Sequence, residues 1–360
     1  MSDGIAPPGT PGGERVNRDI VVVGASAGGI EALQQLVHGL PSKFAGSMFV
    51  SVHFPEHGTS VLPRILSRAG ALPAQHASDG ESIVAGRIYI APPDFHLLLA
   101  PNVIRLIRGP KENGNRPAID PMFRSAAVAF GQRVIGVVLS GNLDDGTSGL
   151  RAIKRRGGLA IVQDPEDAMF SSMPQSAIDH AKVDRIIPIR AMARTIVDAM
   201  GEPVDAARLP SVGEDVMEHE LSAANLDAIG APESRHPGHS SPYSCPDCGG
   251  VLWEIKDGDF MRYRCRVGHA WTSDALLAKQ ADTLDDALWT ALRALEESAS
   301  LSRRIARRHQ DRGSARLAER FEAQAVSLEA RAKVIRDALM TDRDLQVKPD
   351  VDEANPRRAS

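Results

Sequence analysis

Between Ile20 and about Met200, short apolar runs alternate with stretches whose apolar residues recur at helical spacing. The runs occupy positions 20–23, 48–52, 87–90, 103–107, 134–139, 159–162 and 185–187. A continuous β-branched or apolar run bounded by turn residues reads as a strand buried on both faces. Ile30, Leu33, Leu36 and Val37 give one intervening helical face, and Phe123, Ala126, Ala127 and Phe130 give another. This alternation predicts an α/β fold: a doubly wound, largely parallel sheet with flanking helices. The two close runs between Arg87 and Ile107, joined by Ala91-Pro92-Pro93-Asp94, predict a local antiparallel hairpin.

The pattern changes further along. From 201 to 244 it dissolves into Pro, Gly, Ser, His and acidic residues, which predicts a linker, with a short helix near 216–221. Residues 245–275 form a compact Cys/His segment. Then Leu284, Leu288, Leu292 and Leu295 recur at three and four residues. After the turn signal Asp311-Arg312-Gly313, Leu317, Phe321, Leu328 and Ile335 make a second helical face, so 276–340 predicts an antiparallel α-helical hairpin. The catalytic candidate region is 19–200, while 1–18 and 341–360 are polar and are expected to be a disordered arm and tail.

Composition narrows the class. A net charge of -4 argues against a general nucleic-acid binder. No apolar run approaches the roughly 20 residues that span a bilayer, and the Gly- and Pro-rich start has no signal-peptide core. The three cysteines cluster late, at a spacing that suits a metal better than a disulfide, so a cytoplasmic protein without direct membrane insertion is expected.

Three of the predicted strands end in chemistry. Val21-Val22-Val23 runs into Gly24-Ala25-Ser26-Ala27-Gly28, Val50-Ser51-Val52 into His53-Phe54-Pro55, and Val137-Val138-Leu139 into Ser140-Gly141-Asn142-Leu143-Asp144-Asp145-Gly146. Ligands bind at the carboxyl edge of open α/β sheets. A serine, a histidine and an aspartate delivered there are the parts of a nucleophilic hydrolase. The serine segment fits G-x-S-x-G, and the helix after it turns free N–H groups toward the crevice. A dinucleotide fingerprint fits less well, because Ser26 stands at its second glycine and His53, not an acid, ends the next strand. The order Ser, His, Asp also differs from that of an α/β hydrolase. His57 and His96 rival His53, and Asp144 rivals Asp145. A helix cap, a structural histidine and an Asp-Gly turn are the plain alternatives for the three segments taken singly.

Together these segments resemble the catalytic domain of bacterial chemotaxis protein-glutamate methylesterases of the CheB type, over roughly 18–198. Further matching strings are Ile90-Ala91-Pro92-Pro93-Asp94-Phe95-His96-Leu97, Asp120-Pro121-Met122-Phe123-Arg124-Ser125 and Met173-Pro174. The resemblance implies a cofactor-free serine esterase. It would cleave glutamate γ-methyl esters on chemoreceptors to glutamate and methanol, with possible glutamine deamidation. It places the triad at Ser26, His53 and Asp145, and oxyanion or substrate-binding roles at Ala27, Gly28, Asn142, Arg124 and Met173. Asn142-Leu143 stands where the family usually has Met-Gly. Well-studied members carry a phosphorylatable receiver domain before the catalytic domain. Here about 18 residues precede the first predicted strand, so control by phosphorylation in cis is expected to be absent. A non-catalytic signalling scaffold, or an esterase for a substrate other than a chemoreceptor, are the competing functions.

Cys245-Pro246-Asp247-Cys248 and Cys265-Arg266-Val267-Gly268-His269 make CxxC and CxxxH halves. Such halves each bring two ligands from a tight turn to one ion, and four protein ligands would make a closed, structural zinc site. Trp253, Phe260, Tyr263 and Trp271 are expected to pack around it. With the helices that follow, it looks like a module for binding a partner protein.

Overall fold

The computed structural model describes residues 15–54, 60–205 and 238–346. Strand β1 (Arg15–Asn17) precedes β2 (Ile20–Ala25), helix α1 (Gly29–His38), β3 (Ser47–Val52), α2 (Leu62–Ala69), β4 (Ala74–His76) and β5 (Ile88–Ile90). There follow β6 (His96–Ala100), β7 (Val103–Ile107), α3 (Ile119–Phe130), β8 (Val134–Val138), α4 (Thr147–Arg155), β9 (Leu159–Gln163), α5 (Ser172–His180), β10 (Arg185–Ile187), α6 (Ile189–Met200) and β11 (Pro203–Asp205).

Seven strands form one sheet in the order β10-β9-β8-β2-β3-β5-β4, and every neighbouring pair is parallel. The central strands are apolar on both faces because helices cover both. Val21 and Val23 of β2 face the core shared with α1, α2 and α6, while Ile20 and Val22 face the core shared with α3, α4 and α5. Chain order reverses at β2, whose neighbours are β3 on one side and β8 on the other. That reversal opens a crevice beyond the carboxyl ends of β2 and β8, the usual ligand position in such sheets.

Two local expectations change. The strand at 88–90 belongs to the parallel sheet, and the antiparallel hairpin is β6–β7, closed by Pro101 and Asn102. Asn102 has φ 62, a left-handed value that asparagine tolerates at a tight turn. Residues 15–17, expected in the arm, pair with β11, inside the expected linker. Neither strand carries an apolar run that would mark it. Residues 1–14, the expected helix near 216–221 and His57 lie outside the described residues.

The Cys/His segment is a four-stranded antiparallel ribbon of β12 (His239–Ser244), β13 (Val251–Asp257), β14 (Phe260–Cys265) and β15 (Ala270–Thr272). β12 lies at an edge, largely exposed, and carries Pro242, as an edge strand permits. Its polar sequence explains why it reads as linker. Cys245, Leu252, Cys265 and Trp271 form the ribbon's small core with Ala275 and Leu276. The ribbon packs against the parallel-sheet domain. Arg151 of α4 bonds Asp257 at 3.2 Å and lies over the Phe260 ring.

The chain divides into two compact units between Leu276 and Leu277. The second holds most of α7 (Ser273–Asp311) and α8 (Ala315–Gln346). Gly313, at φ 71, ends α7. Its N–H donates to the Gln310 carbonyl and that of Ser314 to His309, the pair of bonds of a Schellman cap. Leu292, Ala299 and Ala306 are buried on α7, and Ala318, Ala325, Ala332 and Leu339 on α8. Each set repeats every seven residues, the period of a coiled-coil seam. Leu284 and Leu317, expected on the packed faces, are exposed. α8 continues through Gln346, and 347–360 lie outside the described residues.

Candidate active site

Two strand-turn-helix corners build the site. β2 runs through Ser26 and Ala27 to Gly28, which caps α1 at φ 69. β8 runs through Asp144 and Asp145 to Gly146, which caps α4 at φ 97. Glycine is the residue that adopts these values freely. At Gly28 a Cβ would also come within 2.8 Å of Met169 and the Ser140 hydroxyl. The corners are stitched together, since the Ser26 N–H donates to the Ser140 carbonyl at 3.0 Å and the Ser140 hydroxyl to that of Ala27 at 2.8 Å.

Ser26, His53 and Asp145 meet in the crevice. The Ser26 Oγ lies 3.0 Å from His53 Nδ1, and His53 Nε2 lies 2.7 Å from Asp145 Oδ2. With the proton on Nε2, His53 donates to the carboxylate, and Nδ1 is left to accept from the serine. The two ring nitrogens are used in the opposite sense to the serine-protease template, with the same division of labour. His53 is partly open to solvent, whereas Asp145 is buried.

Asp145 is held by more than the imidazole. Its Oδ2 accepts the Ile119 N–H at 2.7 Å, and its Oδ1 accepts the Asn113 side-chain amide at 3.1 Å and the Asp120 N–H at 3.3 Å. The carboxylate thus caps α3, whose first N–H groups have no partner within the helix. Asp120 returns the favour to α4, its Oδ1 accepting the N–H groups of Gly146 and Gly149 at 3.1 and 2.6 Å. Burial alone would push Asp145 up, but the hydrogen bond and charge of His53, with the Ile119 and Asn113 donors, hold it below the ordinary carboxylate range. Asp120 goes the other way, raised well above that range by burial and by the Asp145 charge. Asp144 points away from His53. It accepts the Thr272 hydroxyl at 2.6 Å, and burial pushes it up to about 7.

The backbone N–H groups of Ala27 and Gly28 have no backbone acceptor among the described residues. Asn142 is exposed. Met173 is buried beneath Gly141, which abuts Ser26, and its N–H donates to the Gly141 carbonyl at 3.0 Å. Arg124 is 1% exposed and pairs with Glu112 at 2.6 Å, an acid that also takes Arg264 of the ribbon at 2.9 Å. That position is a buried ion-pair network, with no free guanidinium reaching the surface. His96 is wholly buried: its Nε2 lies 2.9 Å from the Pro110 carbonyl, and its Nδ1 accepts the Ala118 N–H at 3.2 Å. Leu143, Met169 and Phe170 leave apolar surface exposed around the Ser26 turn.

Sequence reasoning missed Asn113, Glu112 and Thr272. Asn113 stands in Glu112-Asn113-Gly114-Asn115, which reads in sequence as an ordinary turn, and in the structure it takes the left-handed φ of 52 that a turn asparagine tolerates.

Cys245, Cys248, Cys265 and His269 bring their ligand atoms within 4.8 Å of one another. The Cys248 and Cys265 sulfurs are 3.6 Å apart, and His269 Nδ1 lies 3.7 and 3.6 Å from Cys245 and Cys265. Tetrahedral zinc asks for about 3.8 Å between sulfurs and about 3.6 Å between sulfur and nitrogen. Each half is a tight turn: Gly249 N–H donates to the Cys245 carbonyl and Gly268 N–H to that of Cys265. The hydrogen bonds of Cys265 and His269 lower the Cys245 thiol, while its sulfur neighbours raise that of Cys265.

Residues 21–196 match the family model described as CheB methylesterase. A protein of Leptospira interrogans, named provisionally as a protein-glutamate methylesterase/protein-glutamine glutaminase, is 34% identical over 183 residues, 51% of this chain and 95% of that relative. A Xanthomonas campestris protein-glutamate methylesterase/protein-glutamine glutaminase is 36% identical over 182 residues, 49% of this chain, and there the match spans about half, 51%, of the relative. The crystal structure of the Thermotoga maritima CheB methylesterase catalytic domain aligns over 51% of this chain and 99% of its own, with 34% identity and a TM-score of 0.49. The chain therefore belongs to the CheB methylesterase family and is a carboxylic ester hydrolase of the protein-glutamate methylesterase class.

Proposed function

We propose that this chain hydrolyses glutamate γ-methyl esters on chemoreceptors, and deamidates receptor glutamines, through a Ser26-His53-Asp145 triad. The observation that carries this is the continuous hydrogen-bonded line from Ser26 through His53 to Asp145 at the sheet's reversal point. Ser26 Oγ attacks the ester carbonyl while His53 Nδ1 takes its proton. The N–H groups of Ala27 and Gly28 receive the developing oxyanion. His53 returns the proton to the leaving oxygen, and methanol departs. Water, activated by the same imidazole, then releases glutamate and restores the serine. With a glutamine side chain the leaving group is ammonia. Asp145 fixes the tautomer and stabilises the imidazolium. The apolar surface of Leu143, Met169 and Phe170 suits the flank of a receptor helix.

Cys245, Cys248, Cys265 and His269 would hold a structural zinc, which supplies folding energy to a ribbon with a core too small to stand alone. No step of the hydrolysis uses it. The α7–α8 hairpin would engage a partner protein. A cytoplasmic setting goes with this reading, because the thiol cluster needs a reducing compartment.

Methanol release from methylated chemoreceptor membranes tests the function. Release by the wild type that is lost in both Ser26→Ala and His53→Ala is the expected result. A folded wild type that releases none overturns the substrate. An activated small ester then separates an esterase for another substrate from a non-catalytic scaffold. For the metal, zinc analysis of freshly purified wild type against Cys245→Ser should find zinc in the first and a deficit in the second.

A further inference from the structure

The last strand of the ribbon does more than close its own sheet. On one side β15 pairs with β14. On the other it lies along residues 111–113 of the parallel-sheet domain: the Ala270 N–H donates to the Lys111 carbonyl at 3.2 Å, and the Asn113 N–H to the Ala270 carbonyl at 2.8 Å. The Asn113 carboxamide is then held at both ends. Its Oδ1 accepts the Thr272 N–H at 2.9 Å, which commits its Nδ2 to Asp145 Oδ1 at 3.1 Å. A carboxamide fixed in this way cannot turn over without leaving one of two buried partners unsatisfied.

The same strand begins beside a metal ligand. His269 immediately precedes β15, and Cys265 ends β14, so the Cys265–His269 turn sets the spacing of the two strands. Arg264 locks that turn to the catalytic domain. One guanidinium nitrogen donates to the Gly268 carbonyl at 2.7 Å and the other to Glu112 at 2.9 Å, next in sequence to Asn113. The contacts are buried throughout, with Glu112 at 2% and Asn113 at 8% exposed.

We infer that Asn113 is a positioning residue for the triad acid and that the metal-loaded ribbon holds it there, so that metal loading sets the rate of hydrolysis without the metal touching the substrate. The inference rests on the triad and metal assignments made above. Asn113 orients the carboxylate edge opposite His53, and β15 orients Asn113. When the ribbon loses its metal it loses most of its folding energy. Thr272 and Ala270 then release Asn113, and Asp145 keeps its helix-end donors but loses its side-chain brace. Misplacing a group in a triad by a fraction of an ångström costs rate with little effect on substrate binding.

Three measurements on the full chain test this. The first is the rate at which a fluorophosphonate labels Ser26, which needs no knowledge of the substrate. The second is kcat and KM on an activated ester. The third is the downfield proton resonance of the His53–Asp145 hydrogen bond. Asn113→Ala should slow labelling and lower kcat by about tenfold to a hundredfold at nearly constant KM, and should broaden or shift the resonance. Removal of metal by a chelator should do the same to wild type and add little in Asn113→Ala, because both break one linkage. Circular dichroism establishes that the variant keeps its fold. Wild-type labelling, kcat and resonance in both the folded variant and the metal-free protein would overturn the inference. If wild type is not labelled at all, the triad assignment fails, and the resonance alone still decides whether Asn113 and the ribbon hold Asp145. If no metal is found, the metal assignment fails and Asn113→Ala still decides the positioning role.

Discussion

Two adjacent aspartates at the end of β8 are driven apart by what each faces. Asp145 meets His53 and three N–H groups and is held below the ordinary carboxylate range, whereas Asp144, bonded by the Thr272 hydroxyl in a buried setting, is pushed up to about 7. Asp145→Asn should keep the fold and lower kcat by about a thousandfold to ten-thousandfold, because an amide favours the wrong imidazole tautomer; a pre-steady-state assay with the activated ester measures it. Asp144 bears on stability. Its folded pKa lies above its ordinary value of 3.8, so the folded state binds the proton more tightly. The stabilisation this gives is complete below pH 3.8 and is lost as pH rises through about 7. Asp144→Asn should therefore gain on wild type between pH 5 and 8, by on the order of 4 kcal/mol at most, in denaturant titrations at each pH. Which aspartate would serve the proposed triad is not legible from residues alone, since both precede Gly146 in one turn. The family resemblance singled out Asp145, and the structure brings that residue to His53.

At the scale of elements, strands buried on both faces announce themselves as unbroken apolar runs, which is why β2, β3, β8 and β9 and the residues at their carboxyl ends could be read directly. Edges and seams could not. β12 is polar because it borders solvent, and Asn113 gains its role from a strand more than 150 residues away in sequence. The α7–α8 seam hides for another reason: alanine fills much of it, while the larger Leu284 and Leu317 point outward. Small side chains let two helices approach closely, so bulk there is harmful. Ala325→Leu, at a fully buried position, should cost about 1–3 kcal/mol in thermal or denaturant melts. Leu317→Ala on the exposed side should change stability by no more than about 0.5 kcal/mol. Equal losses in both would contradict the heptad seam.

The whole molecule is two compact units with different sources of stability. One has a large apolar core on each face of a parallel sheet, with a ribbon attached. The other is a two-helix seam of small residues with ion pairs such as Arg303–Glu322 and Arg336–Glu296 on its flanks. Scanning calorimetry should resolve two transitions, since the units have separate cores. Chelation should lower the transition of the sheet-containing unit and leave that of the helical hairpin in place, and a single transition insensitive to chelator would refute this. Among the described residues no helix is long and apolar enough to cross a membrane.

The placement of Ser26 directly after β2 has a consequence in time. The amides of that strand are hydrogen-bonded between two neighbours at the middle of seven strands, and they should exchange with solvent only when the whole unit opens. The amide of Asn113 is bonded to the ribbon instead, and should exchange whenever that small sheet loosens. Ser26 and the brace of Asp145 would therefore run on separate clocks, one set by global unfolding and one by a local, faster event. Under stress the protein would keep its serine in place and lose pace first, a graded slowing well ahead of collapse.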